Sequence, residues 1–331
     1  MPRRFLVAGV SLVVVLAALQ VFAVVGHAGE GDASPTGAGL AAVPALLAAP
    51  AAEAARTTDA YGGLGAWVDL YDVPGPGAAP GGVAAVSPAV VDDMAAHGVR
   101  TLYLQVARDT GEGDAGLADR ELTARFLVLA HRRGLRVVGW FVPRFGDVAR
   151  DLDHLRAIDR FEVLGHRFDG IAVDIEWTRA VPDPAERSAR LVELSQGLRD
   201  TVGADALGAI VLPPVQTEVV NPALWPGFPW GELADIYDAW LPMGYWTERT
   251  VASGYRDAAT YTTENIDRLR SAVGDDAVVH AIGGLAEEST PDDIAAFADA
   301  ADAGGAAGVS LYDWATLAPE ARRLAGEELG G

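Results

Sequence analysis

Two carboxylates spaced two residues apart, Asp174 and Glu176, carry the clearest chemical signal in the sequence. They end the segment 168–177, FDGIAVDIEW, in which bulky β-branched residues alternate with Ala172 and the two acids. In an extended strand, residues i and i+2 point to the same face, so the acids share one face. Neighbouring carboxyls with limited access to water raise each other's pKa. A carboxyl that keeps its proton near neutral pH can act as a general acid.

A structural role is the alternative for this acidic pair. Arginines such as Arg108 or Arg144 could neutralise the two carboxylates as counterions. We favour the chemical role, because titratable groups with perturbed pKa values cluster at functional sites.

The elements that must position the pair form a regular series from Tyr61 onward. Helical segments begin with a capping residue followed by proline, as in 183–186 and 290–293, and end at glycine. Between them lie eight predicted strands, at 66–70, 101–106, 136–142, 170–175, 207–212, 239–243, 278–282 and 308–312. Eight strand–helix units predict one α/β domain, a (β/α)8 TIM barrel. A doubly wound sheet is the alternative, but its glycine-rich nucleotide turn is not found at 69–72, DLYD.

The N-terminal part of the chain is predicted to lie outside this barrel. Arg3 and Arg4 precede an apolar run of about 22 residues, which is long enough to span a bilayer. Residues 1–28 are therefore either a signal peptide or a single-pass membrane anchor, and 29–60 form an Ala/Gly/Pro-rich linker. Both alternatives place the barrel, 61–331, outside the cytoplasm, either secreted or on the outer face of the cytoplasmic membrane.

Composition excludes several kinds of chemistry. The chain has 25 cationic side chains, all arginine, against 46 acidic ones, a net charge of −21 that argues against a nucleic-acid partner. Without cysteine or lysine it has no disulfide, thiolate nucleophile or Schiff-base amine. Its 6 histidines form no H-x-H or H-E-x-x-H pair, so we expect neither a metal nor a cofactor. His280 is predicted to be a core residue.

The segment 169–176, DGIAVDIE, resembles the DGxDxDxE strand of family 18 glycoside hydrolases, which are chitinase-like (β/α)8 barrels. The resemblance implies that Glu176 is the general acid and that Asp174 orients the N-acetyl group of the substrate. Met243-Gly244-Tyr245 resembles the Met-x-Tyr of the same family, whose tyrosine lies beside the reacting sugar.

Two positions depart from that family's pattern. Ala172 replaces the middle aspartate of the strand, and Trp246 stands where the family usually has an aspartate after the tyrosine. The resemblance therefore points to the wider superfamily of barrel glycosidases more than to chitinases. The segments 65–69, GAWVD, and 311–314, LYDW, also resemble an uncharacterised bacterial group of glycosidase-like barrels.

A glycosidase that receives no help from its substrate needs a second carboxylate as nucleophile or base. Asp69 is the first candidate, because strand alternation predicts that it points inward at the end of the first strand. Asp313, which follows the last strand, is the second. Alternatively, both residues pair with arginines or cap helices.

Residues at the carboxyl ends of the strands are the candidates for substrate binding, since active sites of such barrels lie there. Tryptophan offers a flat apolar surface to a sugar ring. We therefore expect substrate contacts from four tryptophans and three further residues near strand ends: Trp140, Trp177, Trp246, Trp314, Gln105, Arg108 and Met243.

The sequence thus predicts an exported, monomeric glycoside hydrolase that cleaves O-glycosidic bonds in a polysaccharide or cell-envelope glycan. Two alternatives stay open. One is a non-catalytic, lectin-like barrel that binds oligosaccharides at the cell envelope, and the other is a barrel that only scaffolds partners there.

Overall fold

Eight parallel strands close into a barrel in the computed structural model, which describes residues 55–73, 86–111, 113 and 115–330. The strands of the chain are β1 (Gly63–Val68), β2 (Thr101–Gln105), β3 (Arg136–Phe141), β4 (Glu162–Val163), β5 (His166–Arg167), β6 (Gly170–Ile175), β7 (Leu207–Val211), β8 (Ala239–Pro242), β9 (Val278–Leu285) and β10 (Gly308–Tyr312). β4 and β5 form a separate two-stranded hairpin, and the other eight follow one another round the barrel in chain order. The predicted (β/α)8 barrel is confirmed.

Helices surround this barrel. They are α1 (Val90–Ala96), α2 (Arg120–Arg132), α3 (Val148–Asp159), α4 (Pro184–Val202), α5 (Trp230–Ala234), α6 (Ala258–Val273), α7 (Pro291–Ala303) and α8 (Pro319–Leu329). The predicted helix starts are confirmed at α4, where Asp183 accepts two backbone N–H groups, and at α7, where Thr290 and Asp293 form a capping box. No helix of the described part is long and apolar enough to cross a membrane. The predicted export segment lies outside the described residues.

Strand alternation divides the apolar residues into two layers. Along β1, Ala66 and Val68 pack outward against the helices, and Trp67 points into the barrel, where it stacks on Tyr103 with ring centroids 4.3 Å apart. Along β6, Ile171, Val173 and Ile175 lie in the outer layer. The inward face of β6 therefore belongs to the residues between them, as the sequence predicts.

The end of the barrel opposite the carboxyl ends of the strands is closed by packed side chains. Tyr61 is fully buried and donates a hydrogen bond of 2.8 Å to the carbonyl of Ile171. Gly208 leaves room for this ring, since a Cβ there would lie 2.5 Å from Tyr61 Cε1. His280 contacts the carbonyl of Tyr61 at 2.8 Å and Ser310 Oγ at 2.9 Å, and burial lowers its pKa to about 4. His280 is thus a neutral core residue, as predicted.

Candidate active site

Asp174 and Glu176 lie at the carboxyl end of β6, where the open end of the barrel begins. Asp174 is buried, and its Oδ1 atom has no hydrogen-bond partner. Burial, together with the charge of Glu176, raises the pKa of Asp174 well above its ordinary value. Burial also raises the pKa of Glu176. The pair therefore holds protons at a pH where ordinary carboxyls have lost them.

The arginines that could have neutralised this pair are engaged elsewhere. The guanidinium of Arg108 lies 4.2 Å from the ring centroid of Tyr71, and that of Arg144 lies 5.3 Å from the ring of Trp177. Of the ion pairs between described residues, none involves Asp174 or Glu176. The structure therefore does not support the alternative in which arginines neutralise Asp174 and Glu176.

A second group of carboxyls, which we call the aspartate cluster, consists of Asp69, Asp72 and Asp313, with oxygen atoms within 4.8 Å of one another. Asp69 follows β1 and accepts hydrogen bonds from the hydroxyl of Tyr312 at 2.7 Å and from the backbone N–H of Tyr71 at 2.5 Å. Asp72 accepts one from the backbone N–H of Asp69 at 2.9 Å. These bonds hold the loop after β1 against the end of β10.

Two members of the aspartate cluster, Asp72 and Asp313, have raised pKa values. Burial, then the charges of Asp69 and Asp313, raises the pKa of Asp72 to about 8. Burial raises the pKa of Asp313 to about 6, although Thr316, whose backbone N–H donates to Asp313 at 2.9 Å, opposes the shift. Among the described residues, these three acids are the group whose ligand atoms converge closely enough to hold a cation.

The two acidic groups stand on different walls of the barrel. β10, which Asp313 follows, is four strands away from β6 in either direction, and β1 is three strands away. Tyr245 follows β8, midway between β6 and β10. Burial and the charges of both groups raise its pKa well above the ordinary value, with Asp174 the largest electrostatic cause. The space around Tyr245 is therefore where a ligand would meet both groups.

Three of the predicted binding residues, Trp140, Met243 and Gln105, lie in the interior of the barrel or at the carboxyl end of a strand. Trp140 is buried in the interior and packs edge-on against Trp67 at 5.8 Å, and its Nε1 atom has no partner. Met243 is buried in the same interior cluster. Gln105 accepts a hydrogen bond of 3.0 Å from the backbone N–H of Leu70, so it positions the loop that carries Asp69.

The other predicted tryptophans differ in their surroundings. Trp177 is partly exposed beside Arg144. Trp246 is fully buried between strands and helices, 5.3 Å from the ring of Phe297, and Trp314 is buried with its Nε1 donating to Asp93 at 3.2 Å. Both Trp246 and Trp314 are buried in the outer hydrophobic layer, so we correct the expectation that their rings are presented to substrate.

Two residues of this region were given no catalytic or binding role in the prediction, although Asp72 is among the residues that follow a predicted strand. Tyr312 donates to Asp69 from the last inward position of β10, and Asp72 completes the aspartate cluster. Alternation along β10 could have pointed to Tyr312, because Ser310 and Tyr312 share a face. The turn that folds Asp72 back onto Asp69 leaves no comparable pattern in the sequence.

Comparison with solved structures finds the same fold in several glycoside hydrolases. The spore cortex-lytic enzyme SleL of Bacillus megaterium matches with a TM-score of 0.55 and 10% identity, over 81% of this chain and 74% of that one. A family 18 N-acetylglucosaminidase from Paenibacillus barengoltzii matches with 0.54 and 11%, over 82% and 100%. A family 5 hydrolase from Streptomyces cattleya, in complex with GlcNAc, matches with 0.54 and 16%, over 73% of each chain.

The chain thus has the fold of family 18 and family 5 glycosidase barrels, at low sequence identity. No family model matches the sequence. No curated protein matches it either.

Proposed function

We infer that the protein is a glycoside hydrolase in which Glu176 is the general acid. The observation that carries this proposal is the acidic pair at the end of β6, with both pKa values raised and no counterion among the described residues. A carboxyl whose pKa burial raises, at the end of the barrel where such enzymes act, suits protonation of a leaving group.

The reaction divides between two walls of the barrel. Glu176 gives its proton to the glycosidic oxygen as the bond from that oxygen to the anomeric carbon breaks. A carboxylate of the aspartate cluster either attacks the anomeric carbon or takes a proton from the attacking water. Asp69 is the best placed for this role, because it accepts hydrogen bonds from Tyr312 and Tyr71 and so stays fixed as an acceptor. If the carboxylate attacks, water then attacks the anomeric carbon, the ester bond to that carboxylate breaks, and Glu176 regains its proton from this water. If the carboxylate acts as the base, it holds the proton taken from water, and exchange with solvent returns both carboxyls to their starting states.

The substrate we propose is a polysaccharide or a cell-envelope glycan outside the cytoplasm. The extracellular location rests on Arg3, Arg4 and the apolar run that follows them. At the end of β8, the partly buried Tyr245 offers apolar surface and a polar edge to a sugar ring.

The test is release of reducing ends from a panel of purified glycans, including chitin oligosaccharides, peptidoglycan and β-glucans. We expect turnover of at least one glycan by the native protein and a loss of about 10²–10⁴-fold in Glu176→Gln. Glu193→Gln, which changes an exposed acid on α4, is the matched control and should keep full activity. Full activity of Glu176→Gln would refute the assignment, and binding without turnover by the native protein would indicate the lectin-like alternative.

A further inference from the structure

Two arginines, flanked on either side by an aromatic ring, follow four neighbouring strands at their carboxyl ends. This group, which we call the arginine–aromatic belt, consists of Tyr71 after β1, Arg108 after β2, Arg144 after β3 and Trp177 after β6. The four strands are consecutive neighbours in the barrel. Each guanidinium lies over a ring, Arg108 at 4.2 Å from Tyr71 and Arg144 at 5.3 Å from Trp177. The belt therefore extends from the aspartate cluster to the loop beside Glu176.

Neither arginine of the belt has an ion pair or a side-chain hydrogen bond to a described residue. The Nη2 atom of Arg108 is in addition buried from water without a partner. Two other arginines that lie over tryptophans, Arg187 and Arg322, also have a buried Nε atom without a partner. They differ in that another nitrogen of each has an acceptor, because Arg187 donates to the carbonyl of Val181 at 2.8 Å and Arg322 pairs with Asp93 at 2.8 Å. A buried cationic donor without an acceptor costs free energy, which an external anion would recover.

The loop that presents Arg144 is held rigidly. Asp151 on α3 accepts hydrogen bonds from the backbone N–H groups of Phe145 at 2.8 Å and Arg144 at 3.3 Å. Arg190 on α4 donates to the carbonyls of Phe145 at 2.8 Å and Gly146 at 2.9 Å. Phe145 itself has a left-handed backbone, with a φ of 61°. The backbone at Arg144 is therefore held in place before any ligand arrives, which lowers the entropic cost of ordering this loop on binding.

The guanidinium groups of the belt favour an anion with two oxygen atoms that can accept two parallel N–H hydrogen bonds. A guanidinium stacked flat on a ring leaves the N–H donors along its edge free, and such an edge matches the two oxygens of a carboxylate. The acids of β6 are not its partners, because their pKa values are raised and not lowered. Salt screens the repulsion between an anionic ligand and acids farther than about 8–10 Å from the belt, so distant members of the net charge of −21 contribute little to it.

We propose that the arginine–aromatic belt binds a carboxylate carried by a sugar of the substrate, either a uronic acid or the lactyl ether of muramic acid. This inference rests on the proposed function for its choice of a sugar, and it names the class of glycan as an acidic one. Arg108 and Arg144 would bind the carboxylate, while Tyr71 and Trp177 support them and offer apolar contact to the ring.

The experiment measures binding, not turnover, using full-length Glu176→Gln protein and two matched pairs of probes. The first pair is a hyaluronan tetrasaccharide and its carboxyl-reduced form. The second is the disaccharide N-acetylglucosaminyl-N-acetylmuramic acid and chitobiose, which lacks the lactyl carboxylate. Calorimetry is repeated with Arg108→Gln and Arg144→Gln added. Arg136→Gln is the control, since Arg136 is an exposed arginine at the opposite end of β3.

We expect the acidic member of at least one pair to bind about tenfold more tightly than its neutral counterpart. Which pair responds distinguishes a uronic acid from a lactyl ether. Either belt substitution should abolish the preference, and Arg136→Gln should keep it. Equal binding or no binding of the members of both pairs would overturn the inference, as would a preference that survives both belt substitutions. If the protein hydrolyses only neutral glycans and this activity depends on Glu176, the proposed function holds and the acidic substrate is wrong. If it binds acidic sugars selectively but hydrolyses no glycan, the carboxylate site holds and the proposed hydrolase function is wrong.

Discussion

Asp72 should make the folded protein less stable as the pH rises. Its pKa of about 8 in the folded protein lies above the ordinary value of 3.8, so the folded state keeps a proton that the unfolded chain has lost. The contribution is fully present below about pH 4 and is lost as the pH rises through about 8. One pKa unit corresponds to about 1.4 kcal/mol, which sets an upper limit of about 6 kcal/mol. Because Asp72 is only partly buried, we expect about 2 kcal/mol.

The perturbation is Asp72→Asn, which removes the ionisable group but keeps an oxygen that can accept from the backbone N–H of Asp69. Urea denaturation at pH 5 and pH 9 gives the free energy of unfolding of both proteins. We expect the variant to gain about 2 kcal/mol relative to the native protein between those two pH values. Asp299→Asn, an exposed change on α7, should give no such gain. A difference between variant and native protein that is the same at both pH values would refute the assigned electrostatics of the aspartate cluster.

Two further predictions concern packing. Gly284→Ala would place a methyl carbon 2.7 Å from Cε2 of Trp246, so we expect overpacking to cost about 1–3 kcal/mol, measured as a lower Tm. Arg56→Met would leave Asp159 and Asp205 without the buried cation that they contact at 2.6 and 3.0 Å. We expect a loss of about 3 kcal/mol in urea denaturation, and an unchanged midpoint would contradict the importance of these contacts.

The barrel itself could be predicted because its signal is local and repeated. Strands 170–175 and 308–312 have the predicted bounds, and the first strand begins three residues earlier than 66–70. Each strand combines β-branched residues with turn residues on both sides, so the local sequence identifies it and tertiary contacts shift only its first and last residues. The same alternation assigns the inward face of β6 without reference to any other element.

The surroundings of the site depend on contacts between distant segments, which a single sequence does not encode locally. Trp246 follows a strand as closely as Trp140 does, yet it packs against Phe297, whose helix lies some 50 residues later in the chain. Gly283 and Gly284 make room for its ring, because a Cβ at either position would lie within 2.9 Å of it. Likewise, the contact of Arg108 with the ring of Tyr71, in place of an ion pair with Asp174 or Glu176, becomes visible only in the folded protein.

The dependence of the rate on the leaving group tests the role of Glu176 most directly. Once a glycan that the protein cleaves is known, two aryl glycosides of its sugar are compared, one with a 2,4-dinitrophenolate leaving group and one with phenolate. A general acid assists only a leaving group that needs a proton. We therefore predict that Glu176→Ala loses about 10²–10⁴-fold in rate on the phenyl glycoside and far less on the dinitrophenyl glycoside. Equal losses on both substrates would contradict the assignment of Glu176 as the general acid.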